Sequence, residues 1–225
     1  GPGRQELMNP IIEQFGVRFM PGQLVQPTPL LQADLIQAIP TDEGAAYWSN
    51  LDFIRKNEGC VAMPGCVGLE YTPTDGITVV PLLSTDTTGC WNRIVATDFV
   101  RDSVRYMPET GDQAGIFTTT LALTRNVNDL EQRVLIVGNT DFLSNGEFAT
   151  GRREVRNFNG ILKHAAFYWL SHEELPVNTE GDAPIDRKLY VSEAAMEIWS
   201  IVFMVVIPVI LALAGIIIWV RRRGR

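Results

Sequence analysis

The chain has 225 residues, 46% of them hydrophobic, enough to bury one ordinary core. Its formal charge is −7, and because Arg221, Arg222, Arg223 and Arg225 lie at the extreme end, residues 1–220 carry 15 basic against 26 acidic side chains, a charge of −11. So acidic a surface repels nucleic-acid phosphate. The chain opens Gly1-Pro2-Gly3 with no basic-then-apolar leader, so it is expected to be the N-terminally truncated remainder of a longer protein.

In chain order, Leu7, Met8, Ile11, Ile12 and Phe15 recur at helical spacing and predict an amphipathic helix over 4–15 that stops at Gly16. Short apolar runs at 17–19 and 34–39 read as strands joined by an irregular connection containing Pro27 and Pro29. Thr41 or Asp42 is placed to cap a helix running to Lys56, with Ala46, Phe53 and Ile54 inward and Gly59 ending it. Strands follow at 61–63, 68–71 and 77–83, the last two separated by the turn residues Thr74-Asp75-Gly76, and a polar stretch then runs to about Gly115.

Residues 118–124 read as a strand and 126–131 as a turn. The run Arg133-Val134-Leu135-Ile136-Val137-Gly138 has the unbroken apolar character of a central strand buried on both faces. Phe158, Ile161, Leu162, Ala165 and Trp169 then mark a helix capped by Asn157 or Asn159. The order of strand, loop and helix predicts an α/β domain with a three-layer, mostly parallel or mixed sheet over residues 1–174. Residues 175–197, with Pro176, Gly181 and Pro184, read as a juxtamembrane linker.

Residues 198–220 contain Ser200 as their one polar side chain, and 23 residues at about 1.5 Å each cross a hydrocarbon core of about 30 Å. Trp199 and Trp219 sit where indoles favour the two interfaces. The basic tail 221–225, led by Arg221, Arg222 and Arg223, places the C-terminus in the cytoplasm and the acidic domain outside it. Pro208 is tolerable in such a helix, and Gly215 marks a position for close helix contact.

Chemistry is sparse. The loop Gly138-Asn139-Thr140-Asp141-Phe142-Leu143-Ser144-Asn145 follows the apolar strand, where open α/β sheets place ligand groups, and makes Asp141 and Asn145 candidates for ligand binding or for shaping the loop. The two histidines, His164 and His172, have no nucleophile motif with them, and His172 with Glu173 and Glu174 lacks a second histidine at zinc-ligand spacing. No phosphate-cradling or dinucleotide glycine motif occurs, so no cofactor is expected and any nucleotide hydrolysis belongs to a partner. Cys66, in Met63-Pro64-Gly65-Cys66, and Cys90, in Thr88-Gly89-Cys90-Trp91, sit in Gly-led turns and are the expected disulfide pair if the domain lies in an oxidising compartment, with Cys60 buried and free; sequence alone leaves the connectivity open, three free buried thiols being the alternative.

The ordered combination of Asn9-Pro10-Ile11-Ile12, Met63-Pro64-Gly65-Cys66, Pro81-Leu82-Leu83-Ser84-Thr85, the 133–145 strand and loop, the 157–170 helix and the terminal span resembles the GldG-like auxiliary components of ABC-type transport systems, familiar from bacterial gliding motility in the Bacteroidetes. The resemblance implies a non-enzymatic subunit of the bacterial inner membrane. Its periplasmic domain would work beside an ABC-2 permease and an ATP-binding subunit supplied by other chains or upstream segments. A membrane-tethered hydrolase acting on envelope glycan or peptide, using Asp141 and other acidic residues, is the alternative.

Overall fold

The computed structural model describes residues 4–28, 31–86, 89–99, 104–149, 155–174 and 198–223. It forms two compact units, residues 1–177 and 178–225. The expected linker at 175–197 lies outside the described residues.

The first unit begins with α1 (Arg4–Ile12), which tightens into a 3-10 turn and ends at Gly16, whose φ of 73° places it in the left-handed region that glycine reaches most readily. Asn9 pins the helix to β1 (Val17–Phe19): its Oδ1 accepts the Phe19 N–H at 2.8 Å and its Nδ2 donates to the Phe19 carbonyl at 3.3 Å. Of the expected apolar face, Ile12 is buried, while Leu7, Met8 and Ile11 are exposed. Next come β2 (Gln23–Val25), β3 (Leu35–Pro40), α2 (Asp42–Tyr47) and α3 (Ser49–Lys56). Thr41 caps α2 as anticipated, its Oγ1 accepting the Gly44 N–H at 2.8 Å. The single helix expected over 41–56 is broken at Trp48, whose backbone is extended at φ −121° and ψ 119° and whose ring packs 5.5 Å from that of Trp169. The break resets the helical phase, so Ala45, Leu51 and Ile54 are buried while Ala46 and Phe53 are exposed.

The remaining elements of this unit are β4 (Val61–Pro64), β5 (Leu69–Tyr71), β6 (Ile77–Ser84), β7 (Trp91–Arg93), β8 (Gln113–Ala114), β9 (Thr118–Val127), β10 (Leu130–Val137), α4 (Asn145–Ala149) and α5 (Asn159–Leu170). Seven strands form one sheet in the order β1-β5-β9-β6-β3-β4, with β10 on β9; β2, β7 and β8 form a second sheet. Every ladder among the described strands is antiparallel, and the one parallel pairing is an isolated bridge between Cys60 and Asn157. This corrects the expectation of a mostly parallel or mixed sheet. For β10 the cause is local: Asn128 and Asp129, with φ of 51° and 61°, make the two-residue turn that folds it straight back on β9.

Among the described strands β10 is also a sheet edge rather than a central strand, because it pairs there with β9 alone. Its apolar run is accounted for by a core on each face. Leu135 and Val137 pack with Ala122, Val80 and Leu82 against the α3 and α5 side chains Leu51, Ile54, Leu162 and Trp169. Val134 and Ile136 pack with Leu121, Leu123, Ile77 and Val79 against Ile12, Phe15 and Val17. The alternation follows the pleat, with successive residues of one strand pointing to opposite faces.

The described part of the second unit is α6 (Ile198–Arg223), 26 residues long, with an 18-residue apolar window of mean hydropathy 3.2, none of which is buried. Among the described residues it is the one helix long and apolar enough to cross a membrane. It runs past residue 220 because Arg221, Arg222 and Arg223 continue the helix, the Arg223 guanidinium lying 4.7 Å from the Trp219 ring centre. A π turn at Val202–Val206, in which the Ile207 N–H reaches back to the Val202 carbonyl, precedes Pro208. A widened turn is one way to reroute hydrogen bonds next to a residue with no N–H to give.

Candidate functional site

The loop after β10 is shaped by close approach and by one amide. Gly138 donates its N–H to the Thr119 carbonyl at 2.8 Å and accepts the Val67 N–H at 2.9 Å; a Cβ at this position would collide with the Val67 carbonyl. Asn139 is buried, with its Nδ2 donating to the Pro64 carbonyl and its Oδ1 accepting the Phe142 N–H at 2.6 Å. That bond turns the chain into the 3-10 segment Asp141–Leu143 and drives Phe142 into the core.

Asn159, at the start of α5, fixes the loop from behind. It is 2% exposed, its Oδ1 accepting the Ala62 N–H at 2.8 Å and its Nδ2 donating to the Ala62 carbonyl at 2.8 Å and the Phe142 carbonyl at 3.0 Å. The local turn into the helix is made by Asn157, whose Oδ1 accepts the Asn159 N–H at 2.8 Å. One side chain therefore joins β4, the loop and α5.

Asp141 and Asn145 are both exposed, and neither side chain has a hydrogen-bond partner among the described residues. The loop-shaping role expected of them is carried by Asn139 and Asn159 instead. Asp141 stands on the rim of a cavity of about 500 Å³ formed with Gln5, Met8, Gln23, Gly65 and Thr140, whereas Asn145 opens α4 and lines no part of it. The structure does not bring the two candidates into one site. A signal for Asn139 was available: a short amide directly after a glycine that closes a strand tends to bond its own turn.

All three cysteines are free and buried, so the expected bridge between Cys66 and Cys90 is not formed. Cys66 sits in the main core with its Sγ 3.9 Å from the Met63 sulfur and 3.4 Å from the Val67 carbonyl, and Cys90 has Thr85 and Asp86 as its polar surroundings. Burial pushes all three thiols up, Cys60 to about 12, which keeps them protonated and unreactive near neutrality. His164 is exposed on α5 and stacks on Tyr168. His172 and Glu173, with φ of 53° and 71°, unwind the end of that helix, and no His, Cys, Asp or Glu group able to hold a metal forms among the described residues.

Sequence reasoning also missed a buried ion pair. In the stretch read as polar, Arg93 and Asp112 meet at 2.8 Å (Nη2 to Oδ2) and 3.3 Å (Nε to Oδ1), with side chains 3% and 0% exposed. Arg93 also donates to the Arg105 carbonyl, and Asp112 accepts the Met107 N–H at 2.9 Å, so the pair staples the 94–112 excursion to the small sheet. Its partners are 19 residues apart, a separation no periodicity marks.

Comparison of the chain with protein-family models, with curated proteins and with solved structures gives no match.

Proposed function

We propose that this chain is a membrane-anchored, non-enzymatic auxiliary subunit of an ABC-2 type transport system, its extracytoplasmic domain binding a partner or substrate. The observation that carries this reading is α6, whose apolar side chains are exposed along its length. Each exposed Ile, Val or Leu forgoes about 1.5–3 kcal/mol of burial, so the helix calls for lipid or for other membrane helices. The arginines at its end argue for a cytoplasmic C-terminus and hence for an acidic domain on the periplasmic side of a bacterial inner membrane. The class of partner, an ABC-2 permease with its ATP-binding subunit, is what the resemblance of the 133–145 and 157–170 segments and the terminal span supplies. Packing on both faces of the sheet supports reading it as the middle of three layers.

Gly215 offers the approach surface for a neighbouring helix, since nothing within 4 Å would meet a Cβ there. The test is purification of the tagged chain from native membranes in mild detergent. Stoichiometric recovery of a polytopic permease and its ATPase, reduced by Gly215→Leu, supports the reading; recovery of the chain alone under several detergents counts against it.

A further inference from the structure

A cavity of about 560 Å³ lies between the turn after β2, β3, the C-terminal end of α3 and the segment leading into α5. Small-molecule sites span about 300–1,000 Å³, so the volume suits one compact ligand. One buried amide faces into it. Gln26 is 7% exposed, and its Oε1 accepts the Gln37 N–H at 2.7 Å, which settles the orientation of the amide. Nε2 is left as a pair of N–H donors on the cavity wall, and no described residue accepts from them. An amide buried this deeply is costly unless an acceptor meets it.

Two exposed side chains of opposite charge stand at the mouth, Glu58 and Arg156. The backbone fixes them side by side: the Cys60 N–H donates to the Arg156 carbonyl at 3.0 Å, and the Phe158 N–H donates to the Cys60 carbonyl at 2.9 Å. Glu58 has no partner among the described residues. The Arg156 guanidinium lies 5.9 Å from the Phe158 ring centre and gives one long bond, 3.4 Å, to Asn57 Oδ1, which leaves its other N–H groups for a ligand. The remaining charges on the wall are engaged. Arg55 is held by Asp42 at 2.6 Å and by Asp52 at 3.3 Å, and Asp86 has a partner of its own.

We propose that this cavity binds a small zwitterion of the amino-acid type, either a free amino acid or a short peptide. Its carboxylate meets Arg156, its ammonium meets Glu58, and an oxygen of its side chain or peptide group accepts from Gln26 Nε2. A guanidinium fork and a carboxylate are the groups that recognise those two charges. A phosphate is disfavoured because Glu58 and Asp86 share the wall with Arg156, and a neutral sugar leaves both charges at the mouth unused. The proposal concerns the first unit alone and stands whether or not α6 contacts a permease.

The experiment is isothermal titration calorimetry on the full chain in nanodiscs. The probes are the common amino acids, alanyl dipeptides, the N-acetyl and C-amide forms of each, sucrose and inorganic phosphate. The expected result is saturable binding of at least one amino acid or dipeptide below about 1 mM. N-acetylation of that ligand weakens binding at least about tenfold on the wild type but not on Glu58→Gln, and amidation does so on the wild type but not on Arg156→Gln. Both residues are exposed, so the variants keep the fold, and a merely structural role would not erase the response to one ligand charge alone. Arg18→Gln on β1, at the far end of the sheet from β3 and β4, leaves the affinity unchanged. Binding by either set of zwitterions supports the proposal, and which set binds identifies the source. No saturation by any zwitterion up to about 1 mM, unchanged discrimination in either variant, or binding of sucrose or phosphate alone overturns it.

Discussion

Asn159→Ala removes the side chain that ties three segments together. Its loss strands the Ala62 N–H, the Ala62 carbonyl and the Phe142 carbonyl in the interior. A buried polar group left unsatisfied costs about 1–3 kcal/mol, and some relief from entering water brings the total to about 3–5 kcal/mol. Asn159→Asp keeps the acceptor for Ala62 but turns an oxygen towards two carbonyls, so it destabilises at least as much. The assay is urea denaturation of the full chain in nonionic micelles, followed by tryptophan fluorescence, since Trp48 and Trp169 pack in the same core. With a slope of about 2 kcal/mol per molar urea, the midpoint falls by about 1.5–2.5 M. A midpoint shift below about 0.5 M for Asn159→Ala would refute the view that this amide is the central clamp.

Arg93→Met leaves Asp112 buried without its cation and should cost about 3–5 kcal/mol by urea denaturation, with Arg93→Met/Asp112→Leu recovering part of the loss; a single variant within about 1 kcal/mol of wild type contradicts the stapling role. Asp129→Gly relieves a left-handed residue in the β9–β10 turn and should stabilise by about 0.5–1 kcal/mol, read as a raised Tm by calorimetry; a lowered Tm would mean the turn depends on the aspartate side chain. Native thiols should resist iodoacetamide at pH 8 and all react in denaturant; rapid labelling of any of them in the folded chain refutes their burial. Because burial raises the folded thiol of Cys60 from 9.0 to about 12, the unfolded chain loses that proton first as pH rises. The contribution to stability is therefore full below about pH 9 and falls away towards pH 12.

The parts of the fold legible in the sequence are those governed by local periodicity. α5 follows from Phe158, Leu162, Ala165 and Trp169, the Thr41 cap from its position, and α6 from an uninterrupted apolar run. The apolar character of β10 announces a core on two faces but is silent about its edge, because pairing is decided by the turn at Asn128 and Asp129 rather than by hydrophobicity. Trp48 breaks a helix that its neighbours favour, because its ring is held by Trp169, more than a hundred positions later in the chain. The small sheet has strands of two or three residues, too short for any pattern, and depends on a distant ion pair. In the loop, the conspicuous Asp141 and Asn145 face solvent, while the amides that matter bond to backbone far away in sequence.

The anchoring of an acidic domain outside the cytoplasm is tested most directly by topology labelling in intact native cells. The buried native thiols give little background, so Leu7→Cys, at a residue 76% exposed on α1, and Arg223→Cys, at the end of α6, serve as reporters for a membrane-impermeant maleimide. Labelling of Leu7→Cys in intact cells, with Arg223→Cys reacting only after permeabilisation, is the predicted result. Labelling with the two positions reversed, or of neither until the cells are opened, would contradict the account.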